Sequence, residues 1–407
     1  MTSATTAPAV APSGRPRRRL GVGVIGFGWL GQAHSRSLQR IPTLFEDRAY
    51  DPRLVACSDA VPARVDQAVA SFQFARGSTD WRAVVEDRDV DVVFIAAPNM
   101  LHGELVAAVA AAGKAVFCEK PVGGTPELVL RAATAARDAE VISGVGYNYR
   151  WAPLVQYARE LIAAGELGQI TNYRGRFFSM YGADPLGFNS WRFQLDEAGY
   201  GVTSDLLSHT VDLAHMLIGP IARVTGTVET FIRERPVFDS TQPGTHYGRG
   251  RPEDPRVPVT NEDYAGMLVE FASGVRGTFE ASRTAVGPES EMAFDAYGTR
   301  GAVGWSLERI NELRLYRTPG DATDRGSGYT TVRGGDRFRH HGAFVPGSGN
   351  PIGFEDLVCI EDHEFCTAVA QERPYEPGFE QALEWAAVHA ALLRSVDTGT
   401  WEAVTPL

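Results

Sequence analysis

GVGVIGFGWLG, residues 21–31, sets a short apolar run directly against three spaced glycines, Gly26, Gly28 and Gly31. The run Gly21–Ile25 reads as a buried strand, and WLGQAHSRSLQRI after it carries apolar residues at helical spacing. Strand, G-x-G-x-x-G and helix in that order give each glycine a mechanical task. Gly26 makes the tight turn, Gly28 lets backbone approach a pyrophosphate, and Gly31 lets the helix lie close on the strand. The helix N-terminus, with Trp29 and Leu30 in its first turn, then offers unpaired N–H groups to phosphate oxygens.

The same alternation continues outward from this stretch. Apolar runs in RLVACSD, DVVFIAAPN, AVFCEKP and VISGVGYN alternate with helical patterns in VPARVDQAVASF, LHGELVAAVAAAG and TPELVLRAATAARDA. Unbroken apolar strands alternating with helices predict a parallel sheet covered on both faces, hence an α/β fold with an N-terminal doubly wound Rossmann domain over residues 20–146. After Gly146 the texture changes to period-two runs such as ITNYRGRFFSMY, AGMLVEFASGVRGTFEASR and EMAFDAYGTRGAVGW. These predict a C-terminal α+β domain, residues 147–407, built on a large, mostly antiparallel open sheet. A closing helical part, FEDLVCIEDHEFCTAVAQE and GFEQALEWAAVHAALLRSVDTG, is expected to pack on that sheet or back on the first domain. Residues 1–19 are expected to form a disordered tail. Two Gly- and Pro-rich segments, Arg233–Pro258 and Arg317–Pro351, are too long for hairpin loops and read as substrate-facing lids or oligomer contacts.

Composition narrows the function classes. The 407 residues are 44% hydrophobic and 22% charged, enough to bury a core without disulfide or metal support. A net charge of −11 argues against a nucleic-acid or anionic-membrane surface, because each needs a basic face. RPRRR, residues 15–19, ahead of an apolar run, also fits a twin-arginine export signal, but that run has a better use as a core strand. Nothing approaches a membrane span of roughly 20 apolar residues. The four cysteines include no C-x-x-C and read as reduced thiols in a reducing, cytoplasmic compartment.

Three features carry candidate chemistry. Asp59 closes the second strand, 28 residues beyond Gly31 against the usual spacing of about 20, the excess matching the insertion IPTLFEDRAYDP. It reads as an acceptor for the adenosine ribose hydroxyls, which favours NAD over NADP, as a helix cap, or as both. Arg64 would soften that preference. In CEKPVGG, Cys118–Gly124, Glu119 and Lys120 end a core strand, which is either a solvated strand end or a functional one. GVTSDLLSHTVDLAHMLIG, residues 201–219, reads as one helix with Asp205, His209 and Asp212 on a shared face, as packing and dipole residues or as catalytic ones. His215 points elsewhere and reads as structural.

Together and in order, these features resemble the Gfo/Idh/MocA oxidoreductases, the family of glucose-fructose oxidoreductase and inositol dehydrogenase. APNMLHGE, GYNYRWAP, GELGQI and WRFQLDEAGYGVTSDLLSHTVDLAHMLIG carry the same resemblance. It implies an NAD-binding set of Gly26, Gly28, Trp29, Leu30, Gly31 and Asp59, with Pro98, Asn99, His102, Glu119 and Lys120. It implies a cis bond before Pro121, Lys120 polarising a substrate hydroxyl, His209 as general base, and Asp205 holding substrate and orienting His209. Asn148, Arg150, Trp191 and Arg192 are further candidates for the substrate pocket, the two arginines reading equally as ion pairs. The activity implied is NAD-dependent oxidation of a secondary hydroxyl of a sugar, glycoside or cyclitol. The extended second part and MYGADP look most like levoglucosan and glycoside 3-dehydrogenases. A glycoside hydrolase that recycles NAD and a non-catalytic NAD-binding regulator are the rivals. A homodimer or homotetramer is expected, since an open sheet face usually finds a partner. No metal site is expected: His340 and His341 adjoin in a Gly-rich loop without ligands at helical spacing.

Overall fold

The computed structural model describes residues 17–237, 248–319 and 327–407. Six strands form a parallel sheet: β1 (Arg18–Ile25), β2 (Tyr50–Ser58), β3 (Arg76–Ser78), β4 (Val92–Ile95), β5 (Ala115–Cys118) and β6 (Ser143–Val145). Their order is β3-β2-β1-β4-β5-β6, with the chain reversing direction across the sheet beside β1. Between them lie helices α1 (Trp29–Leu44), α2 (Pro62–Phe72), α3 (Arg82–Val85), α4 (His102–Ala111) and α5 (Pro126–Asp138). Of the expected tail, 1–19, residues 1–16 lie outside the described residues, and Arg18 and Arg19 are not tail, because they pair with Tyr50 and Asp51. Pairing in the parallel ladder satisfies their backbone groups, so strand wins over tail.

The sheet is apolar on both faces because both are covered. Val92 and Phe94 of β4 face one core with Phe365 of the C-terminal part, whereas Val93 and Ile95 face another with Leu105, Val129 and Phe379. All four are fully buried, each contributing about 1.5–3 kcal/mol on transfer from water.

Helix α6 (Pro153–Ala163) leads into β7 (Ile170–Ser179), after which α7 (Leu195–Ala198), α8 (Val202–Asp205) and α9 (Leu207–Ile218) follow. The second sheet continues through β8 (Ile221–Glu229), then a hairpin of β9 (Glu234–Pro236) and β10 (Arg256–Pro258), then β11 (Tyr264–Phe271), β12 (Arg276–Ser282) and β13 (Ser290–Gly298). It ends with β14 (Gly301–Ser306), β15 (Glu312–Arg317), β16 (Thr330–Arg333) and the short β17 (Glu402–Ala403). The nine strands order β16-β15-β14-β13-β7-β12-β11-β8-β17, antiparallel except for the β12–β7 pair. Inward residues such as Phe177, Met267, Phe279 and Phe294 pack under α6 and α9. Arg174, Leu268 and Glu280 point out on the uncovered face.

The last helices bind the halves together. Helix α10 (His341–Phe344) precedes α11 (Phe354–Ala370), which lies against α1, and α12 (Phe379–Thr398), which touches both α5 and β8. Val388 and Leu392 of α12 join the core of the second sheet, while Phe379 and Ala382 join that of the first.

Candidate active site

At the mouth of β1 the glycines stand as the spacing requires. Gly26 has φ +92°, and a Cβ there would lie 2.6 Å from the Ala96 carbonyl carbon. At Gly31 it would lie 2.0 Å from Gly26 O, so helix and strand could not close up. Gly28 differs, because its missing Cβ faces open space and it caps α1 without a side-chain bond. The first-turn amides are thereby left for an anion, in the cradle a diphosphate needs.

A groove of about 520 Å³ runs from this turn, lined by Gly28, Asp59, Pro98, Asn99, His102 and Lys120 among others. Asp59 Oδ2 accepts from Phe27 N at 2.7 Å and Oδ1 from Val61 N at 2.9 Å. Val61, not Asp59, occupies the cap position of α2, so the carboxylate ties two strand ends together at the groove edge and is not a cap. Arg64 Nη1 is 3.4 Å from its Oδ2. The His102 ring stands between Pro121 O and Ala97 O, each at 2.8 Å, and clamps the turn behind Lys120. Burial pushes its pKa down. Asn99 Nδ2 donates to Ala198 O at 2.7 Å, a tie across to the second half. Trp29 is exposed and stacks on Phe354 of α11 at 5.4 Å.

The groove opens into a cleft of about 890 Å³, and Lys120 stands in both. The Lys120–Pro121 bond is cis, as the resemblance implied. Lys120 Nζ donates to Asp205 Oδ1 at 2.7 Å and to the Asp205 carbonyl at 3.2 Å. Tyr181 O–H donates to the other carboxylate oxygen at 3.2 Å. Burial works to raise the Asp205 pKa, but the Lys120 charge and hydrogen bond hold it well below the usual carboxylate range. Across the cleft the His209 ring packs on Tyr149 at 4.6 Å and on Tyr147 and Phe177 at 5.9 Å. Burial, and then the Lys120 charge, lower its pKa well below 6.5, which keeps it neutral and able to take a proton.

Several expectations need correction. The segment 201–219 is not one helix: it breaks at Leu206 between α8 and α9, where the Asp205 carbonyl accepts from Lys120 Nζ. The Asp205 carboxylate is shared by Lys120 and Tyr181, and it acts on His209 through its charge. Asp212 turns away to a buried pair with Arg150, with nitrogen and oxygen 2.7 Å apart. Of the two readings of Arg150, pocket residue or ion pair, the structure shows the ion pair: Asp212 and Glu376 hold it behind the cleft. Trp191 lines the groove and not the cleft, whereas Asn148 lines the cleft and Arg192 lines both. Tyr149 and Tyr181 were not singled out from the sequence; each sits within a quoted motif, GYNYRWAP or MYGADP, whose loops hide which side chain points inward.

Arg235 and the two histidines of the Gly/Pro-rich segments have local partners. Arg235 of the first Gly/Pro-rich segment is buried, donates to the Gly182 and Asp184 carbonyls and lies over the Phe193 ring, so this segment supports the loop bearing Tyr181. Its residues 238–247, like 320–326 of the second segment, lie outside the described residues. His340 Nε2 is 3.0 Å from Glu364 and His341 Nε2 faces Asn350 O at 2.8 Å. All four cysteines are buried thiols, and no described helix is long and apolar enough to cross a membrane.

A glycine cradle opening into a cleft with an ammonium, a carboxylate and an imidazole fits an oxidoreductase with an NAD-binding Rossmann fold, the class whose family model this chain matches. The chain belongs to the GFO/IDH/MocA family. Residues 20–147 match its NAD-binding Rossmann fold and residues 155–304 its C-terminal domain. It is 33% identical over 384 residues to levoglucosan dehydrogenase of Pseudarthrobacter phenanthrenivorans, covering 94% of this chain and 98% of that one. To scyllo-inositol 2-dehydrogenase (NAD(+)) of Bacillus subtilis it is 28% identical, covering 74% and 78%. A solved levoglucosan dehydrogenase in complex with NADH and levoglucosan superposes with a TM-score of 0.87 at 32% identity, over 95% of this chain and all of the other.

Proposed function

We propose that this protein oxidises a secondary hydroxyl of a sugar, glycoside or cyclitol, with levoglucosan and related pyranose rings as the first candidates. The observation that carries the reading is the meeting of Lys120, from the end of β5, and His209, from α9, in one cleft. NAD, when bound in the groove, supplies the acceptor that takes the hydride from the carbinol carbon. Lys120 donates a hydrogen bond to the substrate oxygen and stabilises the charge that grows on it. His209, neutral at rest, takes the hydroxyl proton. Asp205 holds the Lys120 ammonium in place and, with Tyr181, fixes where the hydroxyl enters. Tyr149 and Phe177 offer ring faces to the apolar side of a sugar. The Asp59 carboxylate supports NAD over NADP, because a 2′-phosphate beside it would be repelled. The similarity to levoglucosan dehydrogenase supports the substrate class. A cytoplasmic site of action and self-association through the bare sheet face belong to the same reading, the latter checked by light scattering.

The test is a panel of anhydrosugars, glycosides and inositols with NAD and with NADP, followed at the reduced-nicotinamide absorbance band. Substrate-dependent reduction of NAD is expected. Sugar release without net reduction would replace this reading with an NAD-recycling hydrolase, and tight NAD binding with no turnover would replace it with a regulator.

A further inference from the structure

We propose that His34 is a positioning residue for this reaction, a buried cation that bridges the carboxylates of Glu119 and Asp362 and thereby sets the backbone from which Lys120 reaches the cleft. The inference rests on the assignment of Lys120 as the group that polarises the substrate. His34 lies on α1, three residues past Gly31, and is fully buried. Its Nδ1 is 2.8 Å from Asp362 Oδ1 on α11, and its Nε2 is 3.1 Å from Glu119 Oε1 at the end of β5. A neutral imidazole has one N–H and would turn a lone pair toward one of these oxygens. Both contacts are hydrogen bonds only when the ring carries two protons, or when a carboxyl lends one.

Apart from its two carboxylate partners, the ring is packed among apolar groups. Phe94 of β4 and Phe117 of β5 pack on it at 5.1 and 5.4 Å. Of the other charges on α1 and α11, Arg36 and Arg40 pair with Glu355 and Asp356, Glu364 pairs with Arg339, and Glu361 is buried with neither carboxylate oxygen partnered. Burial drives Glu361 toward its neutral form. Burial works to lower the His34 pKa, but Asp362 and Glu119 outweigh it and raise it well above 6.5, while burial raises the Asp362 pKa against the opposing pull of His34. The stability this bridge contributes is therefore full below the unfolded value of 6.5 and is lost as pH rises through the raised folded value.

Glu119 passes the constraint on. Its Oε2 accepts from Lys120 N at 3.1 Å and sits where only Gly146 leaves room, since a Cβ there would be 2.6 Å from that oxygen. Helix α11 thus holds His34, His34 holds Glu119, and Glu119 holds the peptide of Lys120. Displacing a reacting group by about 1 Å costs roughly 100-fold in rate.

The test combines His34→Gln and Asp362→Asn with nitrogen NMR of histidine-labelled wild-type protein. At pH 8 the wild type should show one imidazole with both nitrogens protonated, assigned to His34 by its loss in His34→Gln. Both variants should lower kcat by about tenfold to 100-fold while NAD affinity stays within several-fold, and each should change the rate at which an amine reagent labels Lys120. A singly protonated His34 at pH 8 overturns the proposal even if the variants fold poorly. So does unchanged kcat and Lys120 labelling in folded variants, provided Lys120→Ala abolishes turnover. If Lys120→Ala leaves turnover intact, it is the assignment of Lys120 that fails.

Discussion

Lys120 and Asp205 stand 85 positions apart in the chain, yet the ammonium of one meets the carboxylate of the other at 2.7 Å. The contact joins the end of a parallel strand to a break between two helices, and it faces the imidazole of His209 across one cleft. Replacing Lys120 or His209 with alanine should lower turnover by at least about 100-fold, as removal of a proton-transfer or polarising group does. NAD affinity, measured by fluorescence quenching, should stay within several-fold. A His209→Ala variant of near-normal rate would remove the imidazole from the mechanism.

The acid limb of the rate profile should lie low. His209 acts as a base only when neutral, and burial together with the Lys120 charge holds its pKa well below 6.5. Activity should therefore be nearly full at pH 6.5 and fall only as the pH drops through that lowered value. Steady-state kinetics in a constant-ionic-strength buffer series check the sign. A limb centred above 6.5 would mean that another group titrates.

Tyr181→Phe removes the hydrogen bond to Asp205 Oδ2 and leaves the ring in place. The expected loss is about 1 kcal/mol, or roughly fivefold in kcat/KM, carried by substrate and not by NAD. Equal losses toward both would point to a collapsed loop.

Asp59→Asn keeps acceptor capacity for Phe27 N while removing the charge beside the groove. The ratio of kcat/KM for NAD over NADP should fall by at least about tenfold, since charge-assisted hydrogen bonds are roughly twice as strong as neutral ones. An unchanged ratio would place the selectivity elsewhere.

Arg150→Ala should act on stability and not on specificity. It leaves Asp212 buried and unpaired, at a cost of about 3–5 kcal/mol. Denaturant titration should show the loss, with KM values nearly unchanged in whatever folds. A large rise in substrate KM at full stability would return Arg150 to the pocket.

The glycine turn, the alternation of buried runs and the position of Lys120 were legible in the chain because each is a local matter. Strand period, the room a Cβ takes and the φ angle of Gly26 are set within a few residues. Spacing also suggested that Asp205, His209 and Asp212 share a face. The fold keeps Asp205 and His209 in one cleft although the helix breaks between them, and Arg150 draws Asp212 away.

Read alone, the amino-acid order determined which segments are strands, which turn can cradle a diphosphate, and which few side chains are chemically fit to move a proton. Only the tertiary structure decided who meets whom: Tyr181 with Asp205, His34 between Glu119 and Asp362, Arg150 away from the cleft. The reason is that hydrogen bonds and ion pairs act over about 3 Å, whereas the partners here lie tens to hundreds of residues apart, and the packing of two sheets under shared helices brings them into range.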